Sequence, residues 1–123
     1  MILGNVNSTN TPTVKLRIKG TDGASFEVET VVDTGFNASL TIPEGLASML
    51  NLKPEAVGFA TLADGTTHDY DVCAVTVEWD GMDRVVSAHV IGAEPMLGMR
   101  MLARCRLSIE IIPDGRVEIL QIF

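Results

Sequence analysis

Apolar and polar residues alternate along most of this chain, and the same dipeptide interrupts the alternation at four places. Asp-Gly occurs at Asp22-Gly23, Asp64-Gly65, Asp80-Gly81 and Asp114-Gly115. A period of two marks strands with one wet face. Asp-Gly between two such runs is a strong hairpin signal, because both residues tolerate the left-handed backbone that tight turns between strands require. Four hairpins predict an all-β body.

In the first hairpin Val14, Leu16 and Ile18 face one way and Lys15, Arg17 and Lys19 the other, with Phe26 and Val28 returning beyond the turn. In the third, Val75, Val77 and Trp79 lead to the turn and Val86, Ala88 and Val90 lead back. Tyr70 and Val72 fall out of phase with Val75 and Val77, which reads as a bulge or bend near Cys73-Ala74 in a long ribbon. The last hairpin pairs Leu107, Ile109 and Ile111 with Val117, Ile119 and Ile122 across Pro113-Asp114-Gly115, so that the chain ends inside a strand. An apolar edge strand over 117 to 123 favours pairing between chains, since an exposed one is a liability. Helical spacing is confined to short pieces. Pro43-Glu44 suits a first turn ahead of Leu46, Met49 and Leu50, with Asn51 and Pro54 closing the segment. A second short helix is expected over 99 to 104.

Composition narrows the picture. The 123 residues fit one domain, 1–123, with 1–12 reading as an extended N-terminal segment. Hydrophobic content of 46% is globular, and no apolar run approaches the roughly 20 residues of a membrane-spanning helix. The start has neither a basic nor a long apolar leader region, so a cytoplasmic location is expected. A net charge of −7 repels phosphate backbones and argues against nucleic-acid partners. Cys73 and Cys105 fit no metal spacing and read as free, partly buried thiols. His68 and His89 read as a loop residue and a strand residue rather than ligands, and no Ser-His-Asp order or His-Cys cluster is present.

The segment that speaks most directly of chemistry is Val31-Val32-Asp33-Thr34-Gly35, an apolar strand end running into a tight turn. Asp33 there fits three roles. It could cap a turn, as aspartate often does before Thr-Gly. It could be an aspartyl-phosphate nucleophile, but that chemistry uses a parallel sheet, further carboxylates for magnesium and a nearby lysine, which this chain does not offer in order. Or it could be half of a water-activating carboxylate pair.

The last role gains from a resemblance. Val32-Asp33-Thr34-Gly35, then Leu40-Thr41-Ile42-Pro43, a hairpin tip at Leu62-Ala63-Asp64-Gly65-Thr66, and Pro95-Met96-Leu97-Gly98-Met99 with Leu102 together resemble a retropepsin-like aspartic protease, nearest to the small single-domain bacterial type. The resemblance runs from about residue 13 to the C-terminus. It implies a closed retropepsin-like β-barrel with one or two short helices, and an active site formed where two chains meet, each supplying one Asp33. It further implies that Thr34 locks the two loops across the dimer axis, that Gly35 lets the backbone pass close to the carboxylates, and that Leu97 and Gly98 pack beneath the Asp33 loop. Ala63, Asp64, Gly65 and Thr66 become the tip of a flap over a peptide or protein substrate. No metal or organic cofactor is implied. The chain departs from retroviral members in continuing with Phe36-Asn37-Ala38-Ser39, which sets a bulky ring beside the carboxylates. The rival expectation is a catalytically silent dimerisation or peptide-binding module on the same fold.

Overall fold

The β2 strand (Pro12–Lys19) and β3 strand (Ser25–Val32) set the frame, and their residue order explains why. Val14, Leu16 and Ile18 are buried while Lys15 and Arg17 are exposed, and the antiparallel register sets Leu16 opposite Val28 and Ile18 opposite Phe26 on the same inner face. The computed structural model describes residues 1–122. Ten strands and one helix follow in the order β1 (Ile2–Val6), β2, β3, β4 (Leu40–Ile42), α1 (Glu44–Met49), β5 (Pro54–Thr61), β6 (Thr67–Trp79), β7 (Met82–Val90), β8 (Met96–Leu97), β9 (Cys105–Ile109) and β10 (Arg116–Gln121).

Six of these strands close on themselves. The order runs β6-β7-β4-β8-β3-β2, and a further pairing of β2 with β6 completes a barrel. The closing seam is antiparallel and joins Arg17, Ile18 and Lys19 to Glu78, Val77 and Thr76. Most neighbouring pairs are antiparallel, but β3 runs parallel to β8 and β4 parallel to β7. Closure removes the strand edges that an open sheet would expose. Outside the barrel, β5 extends the β6 side and β1, β10 and β9 extend the β2 side.

All four Asp-Gly sites are turns between paired strands. Asp80 and Gly81 both have positive φ, 51° and 84°, as a two-residue turn matched to strand twist demands. The helix also forms where expected, with Asn51 just past its end at φ 53°.

Several expectations are corrected. The segment 99 to 104 forms successive turns rather than a helix. The amides of Met99 and Arg100 donate outward to the carbonyls of Phe36 and Ala38, and Arg104 at φ 64° reverses the chain. The expected irregularity near Cys73 lies in the partner strand: the register shifts between Pro54 and Ala56 of β5, while β6 continues through Cys73 with 73, 75, 77 and 79 buried. Tyr70 and Val72 thus belong to the other face of an unbroken strand. The 1–12 segment contributes β1, paired with β10 and β2. β10 ends at Gln121, so Ile122 is not in the strand, and Phe123 lies outside the described residues. Ile111 likewise falls beyond β9. Nor is β10 an edge, since β1 and β9 occupy both its sides; the open edge there belongs to β9.

Ile18 is wholly buried at the point where β2 bonds to both β3 and β6. Ile18→Ala should destabilise the fold by about 2–5 kcal/mol, read as a lower urea midpoint at unchanged slope. A change in slope without a shift of the midpoint would contradict this placement in a cooperative core.

Candidate active site

Asp33 follows directly on β3, whose last residue, Val32, is buried and registered with Leu97 of β8. The Asp33 amide donates to the Leu97 carbonyl at 2.9 Å, which fixes the backbone at the strand end. Its carboxylate Oδ1 accepts the Gly35 amide at 2.9 Å, and the Phe36 amide donates to the Asp33 carbonyl at 3.2 Å. These bonds curl the loop so that Asp33 is half-buried and Thr34 and Gly35 are exposed. A Cβ at Gly35 would sit 3.2 Å from Asp33 Oδ1, so a larger residue would crowd the carboxylate.

Beneath this loop passes the segment 97 to 100, tied to it rung by rung. Gly98 N donates to Ser39 O at 2.9 Å, Met99 N to Phe36 O at 2.7 Å and Arg100 N to Ala38 O at 3.2 Å. Leu97 is fully buried. Gly98 must be glycine, since a Cβ would fall 2.2 Å from the Ala38 carbonyl oxygen and 2.5 Å from the Phe36 ring. The structure thus brings Asp33, Thr34, Gly35, Leu97 and Gly98 together in one crossing.

It places Ala63, Asp64, Gly65 and Thr66 elsewhere, at the tip of the β5–β6 hairpin, where residues 61 to 69 are all exposed. The tip is held by its own turn. Asp64 Oδ1 accepts the Thr66 hydroxyl at 2.7 Å and the Thr66 amide at 2.9 Å, and these bonds, the hydroxyl's foremost, hold the Asp64 carboxyl below its ordinary range.

Three residues join the two regions, and the sequence did not show that they meet. Tyr70 of β6 lies over His89 of β7 with ring centroids 4.7 Å apart, and Phe36 meets His89 edge-on at 5.6 Å. Register explains the meeting. His89 is paired with Val72 on one side and Thr41 on the other, which places Tyr70, two residues from Val72, on the same face. Burial among these neighbours, with the Arg100 charge second, pushes the His89 imidazole below its usual range. Cys73 and Cys105 are free thiols, both raised by burial foremost. Among the described residues no three His, Cys, Asp or Glu gather as a metal site. A cavity of about 460 Å³ opens on β1 and β2 beside Lys15, Glu29 and Asp114, and no residue of the Asp33 loop lines it.

A barrel of this connectivity, with an Asp-Thr-Gly loop tied over a Leu-Gly segment, is the retropepsin-like fold of aspartic proteases. Among solved structures the chain is similar to a retropepsin-like aspartic protease from Rickettsia conorii, with a TM-score of 0.58 and 18% identity over 97% of this chain and 88% of that one. It is also similar to EIAV protease in an inhibitor complex, with a TM-score of 0.50 and 18% identity over 75% of this chain and 85% of that one. No protein-family model matches the chain, and no curated protein matches it. The likeness is therefore one of fold.

Because the His89 pKa is lower folded than unfolded, the unfolded chain binds the extra proton first. Stability contributed by neutral His89 is present above the ordinary value of about 6.5 and is lost as pH falls through the folded-state value. Urea midpoints measured from about pH 7 down to 5 should fall more steeply in the parent than in His89→Gln. Parallel slopes would place His89 in an environment like water.

Proposed function

We propose that the chain is an aspartic endopeptidase whose active site is completed by the Asp33 of a second copy. The observation that carries this is the Asp33 loop: one carboxylate per chain, half-buried at a strand end and immobilised by bonds to Leu97 and Gly35, with Thr34 exposed beside it. Two such loops facing each other would bring two carboxylates to about 3 Å, where both cannot ionise comfortably and a single proton is shared. The charged partner would take a proton from a bound water while the protonated one donates to the peptide carbonyl, a general acid–base hydrolysis without a covalent intermediate. The Thr34 hydroxyls would meet across the axis.

Since β10 is paired on both sides, the contact between protomers would rest on the Asp33–Thr34 loops and, if a sheet is shared, on the open edge of β9. The β5–β6 hairpin would serve as the flap, and Val57, Phe59 and Leu62 supply exposed apolar surface along it. Substrate would lie beneath it as an added strand, read by its alternate side chains. Among the described residues no helix is long and apolar enough to cross a membrane; a cytoplasmic location and a lack of metal or cofactor complete the reading.

One observation favours a second reading, a silent dimerisation or peptide-binding module. The bond from Gly35 N to Asp33 Oδ1 is also what a turn-capping aspartate makes. Asp33→Asn separates the two, because the amide oxygen can still accept from Gly35 while the titrating carboxyl is gone. A diverse peptide library should be cut by the parent between about pH 4 and 7, with Asp33→Asn lowering the rate at least about 10²–10⁴-fold at an unchanged melting temperature. Specific activity of the parent should also rise with protein concentration as dimers form. Cleavage that survives in Asp33→Asn would sink the peptidase reading, and a variant that loses its cooperative melt would make Asp33 a structural cap.

A further inference from the structure

The β5–β6 hairpin is poorly anchored by ordinary means. None of residues 54 to 69 is buried, so past Tyr70 the hairpin projects with its backbone ladder but without a core of its own. A two-stranded hairpin alone is marginal in water, and a ladder fixes how two strands pair, not the angle at which they leave the barrel. Something at its base must set that angle.

The base carries a row of three rings bounded by two glycines. At one end is Gly58 of β5, directly paired with Tyr70. A Cβ there would fall 2.3 Å from Tyr70 Cζ and 2.5 Å from its hydroxyl oxygen, so the phenol lies flat against the glycine backbone. The other side of the Tyr70 ring lies against His89, tilted by 32°. His89 then meets Phe36 at 75°, the edge-to-face arrangement that ring quadrupoles prefer. At the far end Phe36 lies over Gly98, where a Cβ would come within 2.5 Å of the ring. Phe36 is moreover bonded through its backbone to Asp33 and Met99. Each glycine makes room for a ring, and the path from hairpin to Asp33 loop is unbroken.

We infer that Tyr70, His89 and Phe36 are positioning residues that fix the departure angle of the β5–β6 hairpin and tie its movement to the Asp33 loop. A swing of the hairpin carries the Tyr70 ring, backed by its ladder partner Gly58, against or away from His89, and that displacement reaches the loop through Phe36. The row touches the loop one turn after Asp33 and is not itself part of the reacting group. The consequence for catalysis rests on the peptidase reading above. The mechanical link does not, and the two can fail separately.

Hydrogen–deuterium exchange on the protein without substrate tests the link. Tyr70→Leu should speed exchange several-fold at amides 56 to 69, leave β2 and β3 protected and keep a cooperative melt, while Tyr70→Phe should match the parent. Phe36→Leu is the decisive variant, because Phe36 is paired with neither hairpin strand. It too should speed exchange in the hairpin, and the double variant should exceed Tyr70→Leu by less than the sum of the single effects. Gly58→Ala, which drives a methyl into the Tyr70 ring, should act like Tyr70→Leu. If Phe36→Leu disturbs only the 33 to 39 loop, or if the two effects add fully, the link is overturned. With a cleaved peptide in hand, Tyr70→Leu and Phe36→Leu should raise KM several-fold with kcat changed less than twofold; an equal fall in kcat at constant KM would overturn the positioning role. If the parent cuts nothing, the peptidase reading fails and the exchange result alone decides the link.

Discussion

The interaction on which the rest depends is the crossing of the Asp33 loop over the Leu97–Gly98 segment. Four backbone bonds join the two, from Asp33 to Leu97, Gly98 to Ser39, Met99 to Phe36 and Arg100 to Ala38. They replace a strand ladder at the place where the chain turns away from β3, so loop amides and carbonyls that would otherwise be orphaned are satisfied. The approach is close enough that glycine is obligatory at 98. Pulling these segments together also sets β8 between β3 and β4, and without those two residues of β8 the six-stranded ring would not close. Barrel closure and presentation of the carboxylate are therefore one structural event.

How much of this was legible in the sequence follows from how local each feature is. The Asp-Gly turns and the alternation around Leu16 or Val77 are encoded within a few residues, and they placed the hairpins and the inner faces well. The crossing was legible only because two short motifs occur in a recognisable order. Nothing local distinguishes the two-residue strand Met96–Leu97 from any apolar pair. The second helix was misread for a related reason: Met99, Met101 and Leu102 have helical character in isolation, but the segment is pinned to the Asp33 loop at Met99 and Arg100 and turned back at Arg104 with φ 64°, which leaves it too short to propagate a helix. Tertiary bonds outweighed propensity there. In β6 the change of phase was real, yet it marked a change in which face is covered rather than a break in the strand.

The row of rings lay beyond reach because it depends on two long-range registers at once. Tyr70 and His89 become neighbours through the antiparallel β6–β7 pairing, while Phe36 is brought to them by the parallel β4–β7 pairing and the crossing at Gly98. An error of one residue in either register would turn His89 to the opposite face. Read separately, the three residues are an aromatic in a loop, a histidine in a strand and a tyrosine near a turn. Each has an ordinary structural explanation.

The division of anchoring across the molecule has a physical logic. The Asp33 loop is over-determined, bonded at Asp33, Phe36, Ala38 and Ser39, whereas the hairpin of 54 to 69 buries nothing of its own. On the peptidase reading, a group that holds a charge at a fixed point gains from rigidity, because a preorganised site loses little reorganisation energy when charge develops. On the same reading, a segment that admits and releases a chain gains from low local stability. Rigidity in one and freedom in the other conflict unless something relates their positions. In this fold, that relation passes through side chains as well as backbone, since β5 and β6 otherwise reach the Asp33 loop only around the ring, by β7, β4 and β8 on one side or by β2 and β3 on the other.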